Sequence, residues 1–98
     1  MKKNEKPRLF IPIFKQFPRA IKGLAERCEI GHKKYADIDK DYEGFLITPA
    51  DQYKDAIVRH LMNDGEPHET ELDHLKALVW NAAALLEIKL RSLENERA

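Results

Sequence analysis

A short acidic stretch between two predicted helices holds most of the side chains that could do chemistry. They are Arg59, His60, Glu66, His68, Glu69, Glu71, Asp73 and His74. In an antiparallel helical hairpin the end of one helix lies beside the start of the next, so His60 and His74 can face each other. Glu71 and His74 are three residues apart and share one helix face. Carboxylates with one or two imidazoles suit Mg²⁺ or Mn²⁺, and carboxylates dominate where the ion is Mg²⁺.

The same residues also have an explanation that involves no metal. Acidic side chains near a helix start commonly interact with the helix dipole, and a charged turn is usually solvated. A histidine on an apolar helix face, such as His60, is more often a hydrogen-bonded core residue than a ligand. Residue spacing alone leaves both interpretations open.

A second candidate group, Gly31-His32-Lys33-Lys34-Tyr35, lies at the expected end of the first helix. Lys33 and Lys34 beside a glycine can hold phosphate oxygens as compact positive charges. The simpler explanation, preferred on this sequence alone, is that both lysines stabilise the helix C-terminus and stay solvated. The sequence contains no Gly-rich phosphate loop, no Ser-His-Asp set and no Cys-His zinc spacing.

Three helices are expected to position these groups, and they span about residues 18–35, 49–62 and 71–93. The first two begin with a proline, which is favoured in the first turn of a helix. Thr48 and Thr70 are placed to be the N-caps of the second and third helices. Acidic residues follow each threonine in the first turn, where the helix dipole favours negative charge.

The remaining segments are expected to connect these helices. Residues 1–9 read as a flexible charged arm, and residues 9–17 as an apolar extended segment or short turn, since a proline interrupts them. Residues 36–46 form a polar linker, and residues 63–67 a helix stop and turn. Gly31 weakens the first helix and is interpreted as a point where a neighbouring helix approaches closely.

The third helix carries two stripes of side chains at helical spacing. The first stripe is Leu72, Leu75, Val79, Ala82 and Leu86. The second stripe is Glu71, His74, Leu78, Asn81, Leu85 and Ile88. A three-helix chain has too little interior to bury both. The predicted fold is therefore all-α, a small bundle of three main helices completed by oligomerisation to a dimer or tetramer.

Bulk composition limits the classes of partner. A chain of 98 residues is expected to form a single helical domain over residues 1–98. Lys and Arg number 17 and balance 17 Asp and Glu, so no direct nucleic-acid binding is expected. Cys28 is the only cysteine, which fits a reducing compartment. No apolar run reaches the roughly 20 residues of a membrane span, and no signal peptide is recognisable, so a cytoplasmic location is expected.

The order of these motifs resembles the small phage dATP/dGTP diphosphohydrolases, a branch related to the MazG-like all-α nucleotide pyrophosphohydrolases. The matching stretches are Lys6-Pro7-Arg8, Pro18, Gly31-His32-Lys33-Lys34-Tyr35, Arg59-His60-Leu61, Gly65-Glu66, Glu69, Glu71, His74-Leu75 and Asn81. They cover about residues 6–87, nearly the whole domain. Ala77 stands where that family typically has a second histidine on the third helix.

The resemblance implies a MazG-like fold and hydrolysis of a deoxypurine nucleoside triphosphate, dATP or dGTP, to the monophosphate and pyrophosphate, with Mg²⁺ or Mn²⁺ as the cofactor. The implied metal ligands are Glu66, Glu69 and Glu71. The implied catalytic residues are His60, Glu71 and His74. The implied substrate-binding residues are Lys33, Lys34, Tyr35, Arg59 and Asn81. The implied location is the phage-infected bacterial cytoplasm. The alternative is a non-catalytic nucleotide- or protein-binding helical module derived from that family.

Overall fold

The computed structural model describes residues 6–34 and 44–97, and all regular secondary structure in those ranges is helical. Three α-helices dominate: α1 is Pro18–Lys34, α2 is Ala50–Leu61 and α3 is Glu71–Arg97. The prediction of an all-α fold with three main helices is confirmed. None of the helices in the described ranges is both long and apolar enough to span a membrane.

Only the last part of the predicted linker is described, as the 3-10 turn Gly44–Ile47 before α2. Tyr35, residues 36–43 and the first five residues of the predicted arm lie outside the described ranges.

The apolar stretch before α1 forms one short π-helical turn, Phe10–Lys15. Its defining hydrogen bond runs from the Phe14 N–H to the Leu9 carbonyl, with an N–O distance of 3.2 Å. Of the two predicted conformations, the short turn is the one observed. The apolar side chains of this turn remain largely exposed, with Phe10 at 70%.

α3 begins with a reciprocal pair of hydrogen bonds between Thr70 and Asp73. The Asp73 N–H donates to Thr70 Oγ1 at 3.2 Å, and the Thr70 N–H donates to Asp73 Oδ2 at 2.9 Å. These bonds satisfy N–H groups that have no partner inside the helix. The bond from the Thr70 N–H holds the pKa of the Asp73 carboxyl below its usual range. The predicted N-cap at Thr70 is confirmed, and α3 continues to Arg97 rather than ending near residue 93.

α2 starts one residue later than the sequence predicted. Pro49, with φ −59° and ψ 142°, is the N-cap residue, and no side chain makes the capping hydrogen bond. The predicted N-cap at Thr48 is therefore wrong. The fixed φ of proline suits both the N-cap and the first helical position, so the sequence could not distinguish them. The extended ψ of Pro49 shows that this residue is the N-cap and that the helical residues begin at Ala50.

The core lies along one face of α3, where α1 and α2 pack against it. Ala77 and Ala84 are buried on this face, and their small side chains allow the other helices to approach closely. His74 and Asn81 lie on the same face and are only 2% and 7% exposed. The core of this small bundle is therefore partly polar.

A cluster of aromatic side chains packs the segment before α2 against α3. The Phe45 ring contacts Trp80 edge-on, with ring centroids 6.4 Å apart, and the Tyr53 ring lies tilted against Trp80 with centroids 6.1 Å apart. The Tyr53 hydroxyl donates to the Phe45 carbonyl at 2.8 Å. Burial raises the pKa of Tyr53, so its hydroxyl stays protonated and able to donate. Sequence reasoning had singled out neither Phe45 nor Trp80.

α1 lies close to α3 at Gly23. A Cβ placed on Gly23 would lie 3.5 Å from the Lys76 side chain, whereas one on Gly31 would meet no atom of the described residues within 4 Å. Lys76 Nζ also lies 3.6 Å from Glu26 Oε2, a partly exposed ion pair. The interpretation of Gly31 as the point of close approach is therefore wrong. The presence of a glycine does not show which side of a helix faces its neighbour.

The apolar stripe expected to be the packing seam lies on the outer face of α3. We call it the outer stripe; its members are Leu72, Leu75, Val79, Ala82 and Leu86. Its four large side chains are 42% to 59% exposed, and its alanine is also exposed. By helix geometry this stripe lies roughly opposite the buried face. Of the two predicted stripes, the second is turned inward, and the large side chains of the outer stripe remain about half exposed.

Removing the cap at the start of α3 is expected to destabilise the protein. Thr70→Ala deletes the oxygen that accepts the Asp73 N–H and should lower the free energy of unfolding by about 1 kcal/mol. Thr70→Ser keeps that oxygen and should stay close to the wild type. Urea unfolding followed by circular dichroism measures the difference, and equal midpoints for Thr70→Ala and the wild type would contradict the assigned cap.

Candidate functional site

The end of α2 is fixed by a capping motif that turns the chain towards α3. Asn63 has φ 56°, in the left-handed region that asparagine tolerates. Its N–H donates to the His60 carbonyl at 3.1 Å, and the Asp64 N–H donates to the Arg59 carbonyl at 2.8 Å. This bond pair is that of a Schellman motif. It confirms the predicted helix stop over residues 63–67 and places His60 in the last turn of α2.

His60 and His74 meet across the hairpin formed by α2 and α3. Their Nδ1 atoms are 3.0 Å apart and their ring centroids 5.3 Å apart. A hydrogen bond at this distance requires one Nδ1 to carry a hydrogen and the other to accept it. His74 is nearly inaccessible to solvent, while His60 is half-buried. The prediction that these two histidines face each other is confirmed.

Glu69 completes a group of three potential metal ligands. His60, Glu69 and His74 each offer one ligand atom, and these atoms all lie within 4.8 Å of one another. Glu69 Oε1 accepts a hydrogen bond from the Glu66 N–H at 2.8 Å, which orients the carboxylate. Among the described residues, no other set of three His, Cys, Asp or Glu side chains is gathered so closely. We call this group the hairpin centre.

The turn backbone packs directly on the hairpin centre at Gly65. A Cβ there would lie 2.7 Å from Glu69 Oε1 and 2.8 Å from His74 Cε1. Both distances are shorter than van der Waals contact, so any side chain at this position would displace the carboxylate or the imidazole. In the sequence, Gly65 and Glu66 indicate only a turn, and their spacing does not predict that the Gly65 backbone packs on Glu69 and His74.

The surroundings of His60 favour its neutral form. Burial is the largest cause that lowers its pKa, followed by the positive charge of Arg27 and the interaction with His74. Arg59 acts in the same direction, and Glu69 opposes them. Arg27 comes from α1 and was not recognised in the sequence, because only the packing of α1 brings it near the hairpin.

Glu69 is held in its charged form. The hydrogen bond from the Glu66 N–H is the largest cause that lowers the pKa of Glu69, and the charges of His74, His60 and Arg27 act in the same direction. A carboxylate and at least one neutral imidazole nitrogen are the protonation states that a metal ligand set requires. The pKa shifts of His60 and Glu69 therefore both favour the protonation state that a metal ligand needs.

Of the three glutamates predicted to bind metal, only Glu69 belongs to the hairpin centre. Glu66 is exposed and contributes its backbone N–H rather than its carboxylate. Glu71 is exposed in the first turn of α3 and belongs to no group of three potential ligands. The expected convergence of three carboxylates is replaced by one carboxylate between two imidazoles.

The predicted substrate-binding residues are not gathered at one point. Arg59 is exposed near His60, and Lys33 is exposed in the last turn of α1. Asn81 is buried, and its amide nitrogen donates to a carbonyl one turn earlier in α3 at 2.7 Å. The side chain of Lys34 and all of Tyr35 lie outside what the structure describes.

The donor set of the hairpin centre fits a divalent metal ion. Two imidazole nitrogens and one carboxylate oxygen are a common ligand combination for first-row transition ions. Mg²⁺ prefers oxygen ligands and is usually held by carboxylates and water. Of the two ions expected from the sequence, Mn²⁺ therefore suits these side chains better than Mg²⁺.

A family model described as dATP/dGTP diphosphohydrolase, N-terminal, matches residues 1–97 of the chain. No curated protein and no solved structure matches. The family match includes all three helices and the whole hairpin centre.

The lowered pKa of His60 predicts that the metal-free protein is less stable in mild acid. The folded state binds the proton more weakly than the unfolded chain, whose histidine titrates near its usual value of 6.5. Unfolding therefore takes up a proton. The stability contributed by neutral His60 is present above pH 6.5 and is lost as the pH falls from there through the folded-state pKa.

Urea unfolding in a chelating buffer measures this dependence. Between about pH 7.5 and pH 5.5, either side of the usual histidine pKa, the wild type should lose more stability than His60→Gln. The same loss in both proteins would show that His60 is not the group responsible.

Proposed function

This chain belongs to the dATP/dGTP diphosphohydrolase, N-terminal family, and we propose that it hydrolyses dATP or dGTP to the monophosphate and pyrophosphate. The observation that carries the proposal is the hairpin centre, in which two imidazoles and a carboxylate converge beside two arginines. Cleavage of a triphosphate needs a site where positive charge and a proton acceptor lie close together, and the hairpin centre has both.

His60, Glu69 and His74 are the residues that would hold a divalent ion, either Mg²⁺ or Mn²⁺. Such an ion, when bound, neutralises triphosphate charge and lowers the pKa of bound water. Glu69 supplies the negative charge of the ligand set, and the Glu66 N–H keeps its carboxylate turned towards the two histidines. A protein ligand oriented in this way loses little freedom when it binds.

The cations near the centre come from two different helices. Arg27 of α1 and Arg59 of α2 both act electrostatically on His60. A guanidinium matches the oxygens of a phosphate group in a bidentate manner. We assign these two arginines to the triphosphate, with Lys33 as a further phosphate contact at the end of α1.

His60 is the histidine of the hairpin centre whose surroundings most clearly favour the neutral form that a metal ligand needs. Burial and Arg27 lower its pKa, which keeps the imidazole neutral near pH 7. A neutral imidazole nitrogen can act as a general base or as a ligand. His74 is almost fully buried, and its contact with half-buried His60 holds both ligand nitrogens in place.

Pyrophosphate release measured with each of the four deoxynucleoside triphosphates tests this proposal. Release should be fastest with dATP or dGTP, should require Mn²⁺ or Mg²⁺, and should stop with a chelator. Glu69→Gln removes the charged ligand with little change in volume and should lower the rate by more than about tenfold, as loss of metal-site residues does. Glu71→Gln is the matched control, because Glu71 is exposed and outside the hairpin centre.

Two results would count against the proposal. Equal losses in Glu69→Gln and Glu71→Gln would favour the three-glutamate site over the hairpin centre. No release from any nucleotide, in a folded protein with either ion present, would leave the non-catalytic binding module as the function.

We further propose that the protein assembles through α3. The outer stripe steps by three and four residues along four turns of α3, and this heptad spacing is typical of helices that pack against a second long helix. Burying a leucine or valine side chain contributes about 1.5–3 kcal/mol. A second copy that presents the same stripe would bury both sets at once, as a two-fold dimer does.

Two neighbouring alanines of α3 provide a matched test of this assembly. Ala82 belongs to the outer stripe, whereas Ala83 is exposed beside it, at a position where coiled coils accept charge. Sedimentation of the wild type should give at least twice the 11.4 kDa mass of one chain. Ala82→Glu should shift the protein towards that single-chain mass and Ala83→Glu should not. A wild-type monomer at micromolar concentration would refute the assembly.

A further inference from the structure

We propose that the hairpin centre binds a late first-row transition ion, of the Co²⁺, Ni²⁺ or Zn²⁺ class, in preference to Mg²⁺, and that this ion locks α2 to α3. The inference rests on the metal site of the proposed function and names its ion class and a structural role for it. It does not require that a nucleotide is cleaved.

The first argument is the chemistry of the donors. Two of the three ligand atoms are imidazole nitrogens, from His60 and His74, and one is a carboxylate oxygen of Glu69. Nitrogen donors favour the later ions of the first transition series, whose affinities rise from Mn²⁺ through Co²⁺ and Ni²⁺. Mg²⁺ gains little from imidazole, because it dehydrates reluctantly and prefers oxygen.

The second argument is the distance between the two histidines. Metal–nitrogen bonds of about 2.0–2.1 Å place neighbouring ligand atoms of one ion about 3.0–3.4 Å apart. The Nδ1 atoms of His60 and His74 are already 3.0 Å apart. The metal-free hydrogen bond therefore holds both nitrogens at the spacing that a single ion requires.

Metal entry needs a change of tautomer at this pair and a rotation of the two rings. The hydrogen shared between the two rings leaves the Nδ1 that carries it, and the same ring takes a proton at Nε2, so both Nδ1 lone pairs become available. No charge is gained or lost in this exchange. The helices do not have to separate, because the two Nδ1 atoms are already at a spacing that one ion can bridge from beside the line that joins them.

The third argument is the arrangement of the ligands along the chain. His60 is in the last turn of α2, Glu69 is in the connecting turn, and His74 is in the first turn of α3. An ion bound to all three ties both ends of the hairpin and the turn between them. Three protein ligands are also the number that leaves a coordination position open for water or substrate.

Cobalt binding to the full chain, without a histidine tag and after dialysis against a chelator, tests the proposal. Co²⁺ should produce visible absorption bands that saturate at one ion per chain, and it should raise the Tm measured by circular dichroism. A hundredfold excess of Mg²⁺ should not remove the bands, whereas Zn²⁺ should. His74→Gln and Glu69→Gln should each weaken Co²⁺ binding by more than about tenfold.

His68→Gln is the matched control, since His68 is an exposed histidine in the same turn but outside the hairpin centre. It should keep the bands and the Tm increase. Circular dichroism of each metal-free variant shows whether it is folded. If His74→Gln fails to fold, Glu69→Gln decides the question, because Glu69 lies outside the two helices.

The inference is overturned if Co²⁺ produces no bands, if equimolar Mg²⁺ raises the Tm more than Co²⁺ does, or if His68→Gln weakens binding as much as Glu69→Gln. The experiments distinguish a failure of the proposed nucleotide hydrolysis from a failure of the proposed transition-metal binding. Pyrophosphate release with Mg²⁺ but no Co²⁺ binding would leave the proposed function standing and remove this inference. Variant-sensitive Co²⁺ binding without pyrophosphate release would do the reverse.

Discussion

The contact between His60 and His74 is the point on which the local structure depends. Two imidazole nitrogens 3.0 Å apart can share only one hydrogen between them, so one ring donates and the other accepts. A one-residue slip of either helix would rotate its histidine by about 100° around the helix axis. The Asn63 cap at the end of α2 and the Thr70 cap at the start of α3 prevent that slip.

This contact places polar groups in a core that is already small. His74 and Asn81 alternate with two alanines along the inward face of α3. Each is hydrogen-bonded, which removes most of the cost of burying a polar group. The other buried positions of this face are Ala77 and Ala84. Their small side chains let α1 and α2 approach α3 closely, but they bury little apolar surface. The aromatic cluster around Trp80 and the outer stripe therefore carry more of the hydrophobic surface than the centre of the bundle does.

Structural features that depend on residues close together in the sequence could be predicted. The Thr70 cap, the stop near Asn63 and the meeting of the two histidines follow from local rules or from the hairpin alone. Features that depend on the rotation of a helix or the path of the turn could not. Glu69 and Glu71 look alike in sequence, but only the turn conformation shows that Glu69 points to the histidines. Arg27 reaches the same centre through the packing of α1, which no spacing rule contains.

The hairpin centre and the outer stripe lie on opposite faces of α3, so binding an ion and packing against a second copy do not need the same surface. His74 points towards α2, while Leu72 and Leu75, from the same turns of the helix, point to the other side. A partner packed on the outer stripe would therefore not cover the hairpin turn, and an ion in the hairpin centre would not disturb the outer stripe. Both partners would bind α3 only in its folded form, so each would shift the folding equilibrium in the same direction as the other. A chain of this size could then support a partly polar core, because the stability that the core lacks would come from association and from the bound ion.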